Sequence, residues 1–226
     1  MKKITKMNEL AWLLGLVICP LGISLCTKAD FGLSMIAAPP YILHLGLRDI
    51  FPWFTQGTAE YVWQAVILVI ICIAVHGFKP RYLLSFGTAF LSGLCLDGWL
   101  TVLGGNGVYE TMPQRIIAFA AGTLISAFAI ALYFRTSLPA QIYELAVSEI
   151  SSCYKWNQNK VKLVNDGIMF AISVIFALVI TGGLHGIGVG TVVITIVNAP
   201  LIAMFGKILD RFFEFDHRFH NFFKKK

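Results

Sequence analysis

Six long apolar segments, almost free of charged residues, constrain this chain more than any other feature of its sequence. A helix needs about 20 mostly apolar residues to cross the hydrocarbon core of a bilayer. The longest apolar run, residues 167–206, contains no Asp, Glu, Lys or Arg and is too long for one helix, so its glycine-rich stretch at 182–190 predicts a break. The chain is therefore expected to form a single all-α membrane domain, a polytopic bundle with six spans: 10–27, 58–76, 82–103, 116–134 and the two halves of 167–206.

Composition supports a lipid environment and argues against several other functions. Hydrophobic residues make up 57% of the chain and charged residues 13%, whereas an ordinary soluble domain carries roughly 25% charged residues. The net charge of +6 does not predict nucleic-acid binding, because the cations lie in tails and short loops rather than in a basic stripe interleaved with aromatic residues. Four of the five cysteines lie in apolar segments, so neither a disulfide framework nor a CxxC metal pair is expected. Because no Walker loop, HExxH or nucleophile motif occurs, we expect no enzyme and no cofactor.

Lys and Arg are distributed unevenly among the connections, which predicts the orientation of the chain. Cytoplasmic loops of membrane proteins carry an excess of both residues. With six spans and a cytoplasmic N-terminus, 15 of the 18 Lys and Arg residues fall on the cytoplasmic side, and only Lys28, Arg48 and Arg115 fall outside. Both termini are therefore predicted to be cytoplasmic. The first apolar segment is expected to be retained, because no persuasive cleavage site precedes Lys28.

The C-terminal tail, residues 207–226, has a pattern different from that of the spans. Phe212, Phe215, Phe219 and Phe222 recur at spacings of three and four, with acids and bases between them. This spacing predicts an amphipathic cytoplasmic helix on the inner leaflet, where the terminal lysines would favour anionic headgroups. The alternative is a helix that docks a partner protein.

The two halves of the chain resemble each other. At offsets of 103 to 107 residues, small residues recur together with a cation, an acid and a Gly-Thr pair. The matched pairs are Ala11 with Ala118, Gly15 with Gly122, Lys28 with Arg135, Glu60 with Asp166, and Gly87-Thr88 with Gly190-Thr191. Each repeat, about 10–103 and about 115–206, holds three spans, so the second must enter the membrane from the opposite side. The repeats are therefore predicted to be inverted, which is typical of secondary transporters.

Each repeat also contains an apolar segment that is too short to span. These segments, 31–47 and 137–151, predict re-entrant or interfacial half-helices that enter from opposite faces. Irregular backbone at membrane depth is tolerated only where protein or water covers it, so a cavity is implied. The half-helix N-termini carry partial positive charge, and Lys28 and Arg135 lie just upstream, which would suit an anionic group. If both segments spanned fully, there would instead be eight spans and parallel repeats.

The segment LGISLCTKADFGLS carries the most specific signal in the first half. Its core is K-A-D-x-G-x-S, formed by Lys28, Ala29, Asp30, Gly32 and Ser34. Together with the repeated three-span plan, this segment resembles the YczE/YitT type of bacterial membrane protein, and the likeness covers nearly the whole chain. The resemblance implies a multi-pass protein of the bacterial plasma membrane. It brings little mechanism, because that family is largely without an assigned substrate.

Six residues are candidates for binding a solute: Lys28, Asp30, Gly32, Ser34, Arg135 and Glu144. Lys28 and Asp30 are expected either to pair with each other or to line an outer vestibule. The second half keeps a cation at Arg135 but lacks the Asp and the Gly, so any site is asymmetric. Glu144 lies in the second half-helix, where it could face a cavity or remain at the interface.

Three acids are candidates for carrying a coupling ion: Asp97, Glu60 and Asp166. Asp97 lies inside the third span, where a carboxylate in hydrocarbon is costly and is a functional candidate. The alternative places it at the outer interface, near Arg115. Glu60 and Asp166 begin spans two and five, where an acid can simply complement a helix N-terminus. The histidine spacing predicts no metal site.

These features together predict a secondary transporter or exporter for a small solute with an anionic or zwitterionic group. The protein is expected to contact the lipid bilayer, and a homo-oligomer is compatible with the sequence. The half-helices, with Lys28, Asp30 and Arg135, are expected nearest the site. Two alternatives stay open: a substrate-capture subunit of a multi-component importer, and a non-transporting scaffold that organises a partner through its phenylalanine-rich tail.

Overall fold

The protein is helical, which confirms the predicted all-α class. The computed structural model describes residues 4, 5, 8–105, 107–136 and 141–214. Within these ranges there are eight α-helices: α1 (Asn8–Ala29), α2 (Ala38–Leu47), α3 (Gln56–Ala74), α4 (Arg81–Val102), α5 (Met112–Tyr133), α6 (Ile142–Tyr154), α7 (Gln158–Phe176) and α8 (Val189–Phe212). A π-helical turn, Ala177–Thr181, extends α7. A short parallel pairing joins β1 (Ile4–Thr5) to β2 (Phe213–Glu214).

Six of the helices are long and apolar enough to cross a membrane: α1, α3, α4, α5, α7 and α8. The predicted break at 182–190 is confirmed, since the π-helical turn ends at Thr181 and α8 begins at Val189. The span formed by α7 begins earlier than predicted, at Gln158. The reason is a local cap, because the side chain of Asn157 accepts a hydrogen bond from the Asn159 N–H at 2.9 Å.

α1 and α5 cross antiparallel, with their backbones in contact. A Cβ atom added to Gly22 would lie 2.7 Å from the carbonyl oxygen of Gly122, and one added to Gly122 would lie 2.7 Å from that of Gly22. Arg115, at the start of α5, donates its Nε to the carbonyl of Ala29, at the end of α1, at 2.7 Å. Glycines permit such close approach between helices in a membrane. This contact joins the two halves of the chain.

α6 is a half-helix that begins at mid-depth and ends at one end of the bundle. Its N-cap residue, Gln141, hydrogen-bonds to Gln64 and Ser92, which lie midway along α3 and α4. The Tyr154 hydroxyl, at the end of α6, donates to the carbonyl of Ala74, the last residue of α3, at 2.8 Å. A helix of 13 residues covers about 20 Å at 1.5 Å per residue, too little to span a bilayer. α6 is therefore too short to span a bilayer by itself.

α2 is the second short helix and lies toward the opposite end of the bundle. The segment before it is anchored to the α7–α8 turn, where the Leu33 N–H donates to the Gly186 carbonyl at 3.0 Å. Its C-terminal half is anchored to the α2–α3 connection, where Nδ1 of the buried His44 lies 2.8 Å from the carbonyl oxygen of Phe54. With only 10 residues, α2 is also too short to span. The described residues thus hold six candidate spans, as predicted, rather than the eight of the alternative.

The end of the bundle that holds α6 carries several cations, and we name it the basic end. The side chain of Glu149, on α6, is 2% exposed and pairs with Lys79, 2.7 Å away, and with Arg81. Arg135 forms a two-pronged ion pair with Asp210, with both N–O distances at 2.6 Å. These pairs fasten α6 to the α3–α4 connection and the end of α5 to α8.

The C-terminal tail differs from the prediction where it can be followed. Residues 207–212 continue α8 rather than starting a separate helix, and Phe212 is 46% exposed. No glycine or proline interrupts this stretch, and the Arg135 pair holds Asp210 in place, so the helix carries on. Phe215, Phe219 and Phe222 lie outside the described residues.

Candidate functional site

A group of buried polar side chains lies where α6 begins, at the middle of the bundle. We name it the central polar cluster, and its members are Glu60, Gln64, Ser92, Gln141 and Tyr143. None of the five is more than 9% exposed, and Gln64 is fully buried. Buried polar groups in proteins are nearly always hydrogen-bonded, so their partners define what the site can do.

Gln64 and Gln141 connect the members of the central polar cluster. Nε2 of Gln64 lies 3.2 Å from Oε1 of Glu60 and 3.2 Å from Oε1 of Gln141. Gln141 in turn donates its Nε2 to Oγ of Ser92 at 3.0 Å. Oε1 of Gln64 accepts the Ile142 N–H at 3.0 Å, one of the donors that a helix start leaves without a partner. The cluster therefore holds the N-terminus of α6 between α3 and α4.

Glu60 is the acidic member of the cluster and is 6% exposed. The Tyr143 hydroxyl donates to its Oε1 at 3.0 Å, the same oxygen that faces Gln64. Among the described residues, no Lys, Arg or His forms an ion pair with it. A carboxyl group in such a place within a membrane protein is a candidate functional residue.

Glu144 follows Tyr143 in the first turn of α6. Its Oε2 is buried and has no hydrogen-bond partner within the described ranges. Glu144 lies within electrostatic range of Glu60 on one side and of Asp166 on α7 on the other. Asp166 forms an ion pair with Lys162 at 3.3 Å. The structure thus brings three of the predicted residues near the first turn of α6: Glu60, Glu144 and Asp166.

Asp97 lies at the N-terminus of α3 rather than in the central polar cluster. Its Oδ1 accepts the Gly57 N–H at 2.8 Å, and its Oδ2 accepts the Thr55 hydroxyl at 2.6 Å. Thr55 is also the N-cap of α3, where its Oγ1 accepts the Thr58 N–H at 3.1 Å. A carboxylate suits this position, because the first N–H groups of a helix lack partners and carry partial positive charge.

Lys28 lies at the opposite end from the basic end and is 4% exposed. Its Nζ donates to the carbonyl oxygens of Gly105 at 2.9 Å and Gly107 at 2.7 Å, so it closes the α4–α5 connection. Asp30 is exposed, and its Oδ2 lies 3.4 Å from the guanidinium of Arg115. Lys28 and Asp30 therefore take different partners and do not pair with each other.

Gly32 and Ser34 occupy the segment that leads into α2. Gly32 has φ +103°, and a Cβ atom there would lie 2.5 Å from the backbone nitrogen of Gly188, so the position requires glycine. Ser34 lines a small cavity of about 30 Å³ beside the N-terminus of α2.

The cavity beside α2 has mostly apolar walls with a few polar groups. Its polar lining consists of Ser34, Thr123, Ser126 and Asn198. The hydroxyls of Thr123 and Ser126 donate to carbonyls of α5 at 2.8 Å, whereas Oδ1 of Asn198 is buried without a partner among the described residues. The volume suits roughly one or two water molecules. The space is too small for a larger molecule in this conformation.

Arg135 is far from Lys28, its counterpart in the first half. Lys28 lies at one end of the bundle and Arg135 at the other, where Asp210 occupies its guanidinium. The structure therefore does not bring Lys28, Asp30 and Arg135 to one site. Each cation lies at or just after the end of its own helix, Lys28 at the end of α1 and Arg135 after α5.

Histidines and metal ligands do not gather in the part of the chain that the structure describes. No group of three or more His, Cys, Asp and Glu side chains there could hold a metal ion. His44 is buried, and burial lowers its pKa, although the Phe54 carbonyl acts in the opposite direction. His44 fastens α2 to the following connection.

Four members of the central polar cluster escaped the sequence reasoning: Gln64, Ser92, Gln141 and Tyr143. Gln64 carried a usable signal, because it is an amide inside an otherwise apolar span. Gln141 and Tyr143 gave no such signal, since they lie in the second half-helix, where polar and apolar residues are mixed. Their role depends on the depth at which α6 begins.

The fold and the cluster define the class of protein as a multi-pass helical membrane protein with a polar interior. A family model described as a family of unknown function, DUF6198, matches residues 6–207, and the chain belongs to that family. The uncharacterized protein YyaS of Bacillus subtilis (strain 168) is 27% identical over 205 residues, covering 88% of this chain and 92% of the relative. No solved structure matches the chain. These matches do not single out the YczE/YitT type.

Proposed function

We propose that this protein is a secondary transporter built from two inverted repeats of three spans and one half-helix each. The order of long and short helices supports the repeats, because long, short, long, long occurs twice along the chain. Part of the packing is consistent with such repeats, since α1 packs on α4 as α5 packs on α8, and α3 packs on α6 as α2 packs on α7. The close packing of α3 on α4 has no counterpart between α7 and α8. α1 and α5, the equivalent first helices, cross at the centre.

The observation that carries the proposal is the start of α6 at mid-depth on the central polar cluster. Discontinuous helices that begin at the bilayer midplane form the solute sites of many secondary transporters. Irregular backbone at that depth needs cover from protein or a water-filled cavity. The cavity beside α2 and the hydrogen bonds around Gln141 supply such cover on the two sides of the α1–α5 contact.

The chemistry of the cluster favours a small zwitterionic or anionic solute. Amide and hydroxyl groups of Gln64, Gln141 and Tyr143 converge there, and the N-terminal turn of α6 adds partial positive charge. Glu60 offers an acceptor for an ammonium group on the same molecule. The cavity beside α2 is small in this conformation, so a solute would need one repeat to move against the other, as in alternating access.

The orientation and location are part of the same proposal. The basic end faces the cytoplasm, because Lys79, Arg81, Arg135 and the lysines of the α6–α7 connection lie there. The membrane is the bacterial plasma membrane, as the likeness to the YczE/YitT type of protein implies. Half-helix α6 then enters from the cytoplasmic side and α2 from the outer side.

A ligand screen followed by a flux assay tests the proposal. The purified protein is heated in detergent with a broad panel of metabolites and ions, because binding to the native state alone raises stability. The variant Gln141→Ala removes an amide of the cluster, and Gln158→Ala, at the exposed start of α7, is its matched control. We expect a solute that stabilises the wild type and Gln158→Ala, loses at least about tenfold in affinity with Gln141→Ala, and crosses proteoliposome membranes.

Two results would overturn the proposal. One is a well-populated panel in which no compound shifts the melting temperature and none crosses proteoliposome membranes. The other is a stabilising solute whose binding is unaffected by Gln141→Ala, since the central polar cluster would then not be its site.

A further inference from the structure

Two buried carboxyl groups of this protein have opposite surroundings. Glu149 is 2% exposed and is met by Lys79, Arg81 and the Tyr82 hydroxyl, the last at 2.7 Å. Glu60 is 6% exposed and is met by one phenol and one amide, with no cation among the described residues. Burial is thus similar for the two groups, but the charge that surrounds them is not.

This difference decides which protonation state each group can hold. An ionised carboxylate taken out of water needs a cation or several donors to offset its lost hydration. Glu149 has these partners and is therefore built to remain ionised. In Glu60 both donors point at Oε1, and no described residue donates to Oε2. A proton on Oε2 removes the uncompensated charge while Oε1 keeps both hydrogen bonds.

The groups that face Glu60 come from several helices. Tyr143 and Glu144 face it from α6 and the Cys19 thiol from α1. On α4, the Ser92 hydroxyl reaches the cluster through Gln141, and the carboxylate of Asp97 is occupied by Thr55 and Gly57 at the start of α3. His44 of α2 is directed to the Phe54 carbonyl instead. None of these groups supplies a positive charge to Glu60.

A second carboxyl group continues from Glu60 toward the basic end. Glu144 is within electrostatic range of Glu60, and its buried Oε2 has no partner among the described residues. Asp166 is within electrostatic range of Glu144 and is paired with Lys162, which is half exposed near the start of α7. Glu144 and Asp166 are thus the acids that lie within electrostatic range between Glu60 and Lys162.

We infer that Glu60 is the proton-binding group of this protein and that Glu144 and Asp166 lead the proton to the basic end. The inference rests on the proposed function, because it makes the solute movement proton-coupled. The step balances simply: Oε2 of Glu60 gains a proton from one side of the membrane and gives it to the carboxylate of Glu144. No other bond is made or broken, and no group is oxidised or reduced.

An infrared titration tests the proton site without knowledge of the solute. The protein is reconstituted in lipid nanodiscs and titrated from about pH 5 to about pH 9, and the carbonyl stretch of protonated carboxyl groups is followed. We expect a band at neutral pH that loses intensity in Glu60→Gln and keeps its full intensity in Glu149→Gln. The absence of that band in the wild type, or an undiminished band in Glu60→Gln, would overturn the inference.

A second variant tests the same assignment in case Glu60→Gln fails to fold. Tyr143→Phe keeps the ring and removes the hydroxyl that donates to Oε1 of Glu60. That hydrogen bond stabilises the carboxylate more than the acid, so the band should persist to higher pH in Tyr143→Phe. An unchanged titration would show that the band belongs to another carboxyl group.

Flux measurements separate the failure of this inference from the failure of the proposed function. Proteoliposomes loaded with a solute from the stability screen are placed in an inward or outward pH gradient. The wild type should accumulate solute in response, whereas Glu60→Gln should lose most of the response to the gradient. If the wild type moves solute at the same rate with and without the pH gradient, proton coupling is overturned, but the proposal that the protein is a transporter still holds. If no solute crosses, the transporter fails and the infrared band alone decides whether Glu60 binds a proton.

Discussion

The carboxylate of Asp97 accepts the Thr55 hydroxyl at 2.6 Å and thereby ties α4 to the first turn of α3. The same carboxylate accepts the Gly57 N–H, so both of its oxygens are used by the start of one helix. An acid in the middle of a hydrophobic sequence thus serves as a helix cap supplied by a neighbouring helix.

Replacing Asp97 with Ala should therefore lower stability. Asp97→Ala leaves the Thr55 hydroxyl and the Gly57 N–H without their acceptor, and we expect a loss of about 1–3 kcal/mol in the free energy of unfolding. The check is the melting temperature in detergent beside Asp49→Ala, whose carboxylate is 86% exposed and which should change little. If Asp97→Ala were as stable as the wild type yet lost proton-linked flux, Asp97 would belong to ion coupling instead.

Lys28 should govern the mobility of the α4–α5 connection. Lys28→Met keeps the length of the side chain and removes the donor to the Gly105 and Gly107 carbonyls. With a hydrogen bond to a charged group worth about 1.5–3 kcal/mol, amide exchange in this connection should rise at least about tenfold. Hydrogen exchange followed by mass spectrometry measures it, with Arg48→Met, a half-exposed cation, as the control. Unchanged exchange together with lost solute binding would place Lys28 at a solute site.

Adding a single methyl group at the α1–α5 contact should destabilise the protein. Gly22→Ala would put a Cβ atom 2.7 Å from the Gly122 carbonyl oxygen, so the helices must separate, at a cost of about 1–3 kcal/mol. Gly98→Ala is the matched control on α4, because a Cβ atom there meets no atom within 4 Å. Thermal denaturation should show a lower melting temperature for Gly22→Ala and an equal or higher one for Gly98→Ala. Equal melting temperatures for the two variants would argue against the close crossing.

Stability should fall on acidification through His44. Burial lowers the pKa of His44 below its ordinary value of 6.5, so the unfolded chain binds the proton more readily than the folded protein. The stability contributed by the neutral ring is then complete above about pH 6.5 and is lost as the pH falls below it. His44→Asn keeps a donor for the Phe54 carbonyl and should flatten the melting-temperature profile between about pH 7 and pH 5. His185→Asn, at an exposed position, should leave the slope unchanged; the opposite pattern would contradict the assignment.

The long helices could be predicted from the sequence because the bilayer imposes their length and composition. The glycine-rich stretch at 182–190 likewise marked its turn, since glycine reaches the positive φ found at Gly182 and Gly186. Helix ends were less certain, as the early start of α7 at its Asn157 cap shows. That cap depends on one side chain rather than on hydropathy.

The candidate site was only partly predictable, because charge alone does not show what a side chain faces. Lys28 and Arg135 match each other in the sequence repeat. In the structure, however, Lys28 donates hydrogen bonds to loop carbonyls, whereas Arg135 forms an ion pair with Asp210. Glu60 and Glu144 were proposed for separate reasons, and their proximity follows from the depth at which α6 starts. That depth is set by the hydrogen bond between Gln64 and Gln141, two residues that are 77 positions apart in the sequence.

The crossing of α1 and α5 also limits how the molecule can move. The backbones meet at Gly22 and Gly122, and the side chains of Ser126 and Cys26 fill the space beside the crossing, so little room is left for either helix to shift. A rearrangement that keeps this contact can turn one helix about the other at the crossing point, but it cannot part them. The crossing therefore acts as a pivot, and displacements grow with distance from it, largest at the loops on both faces.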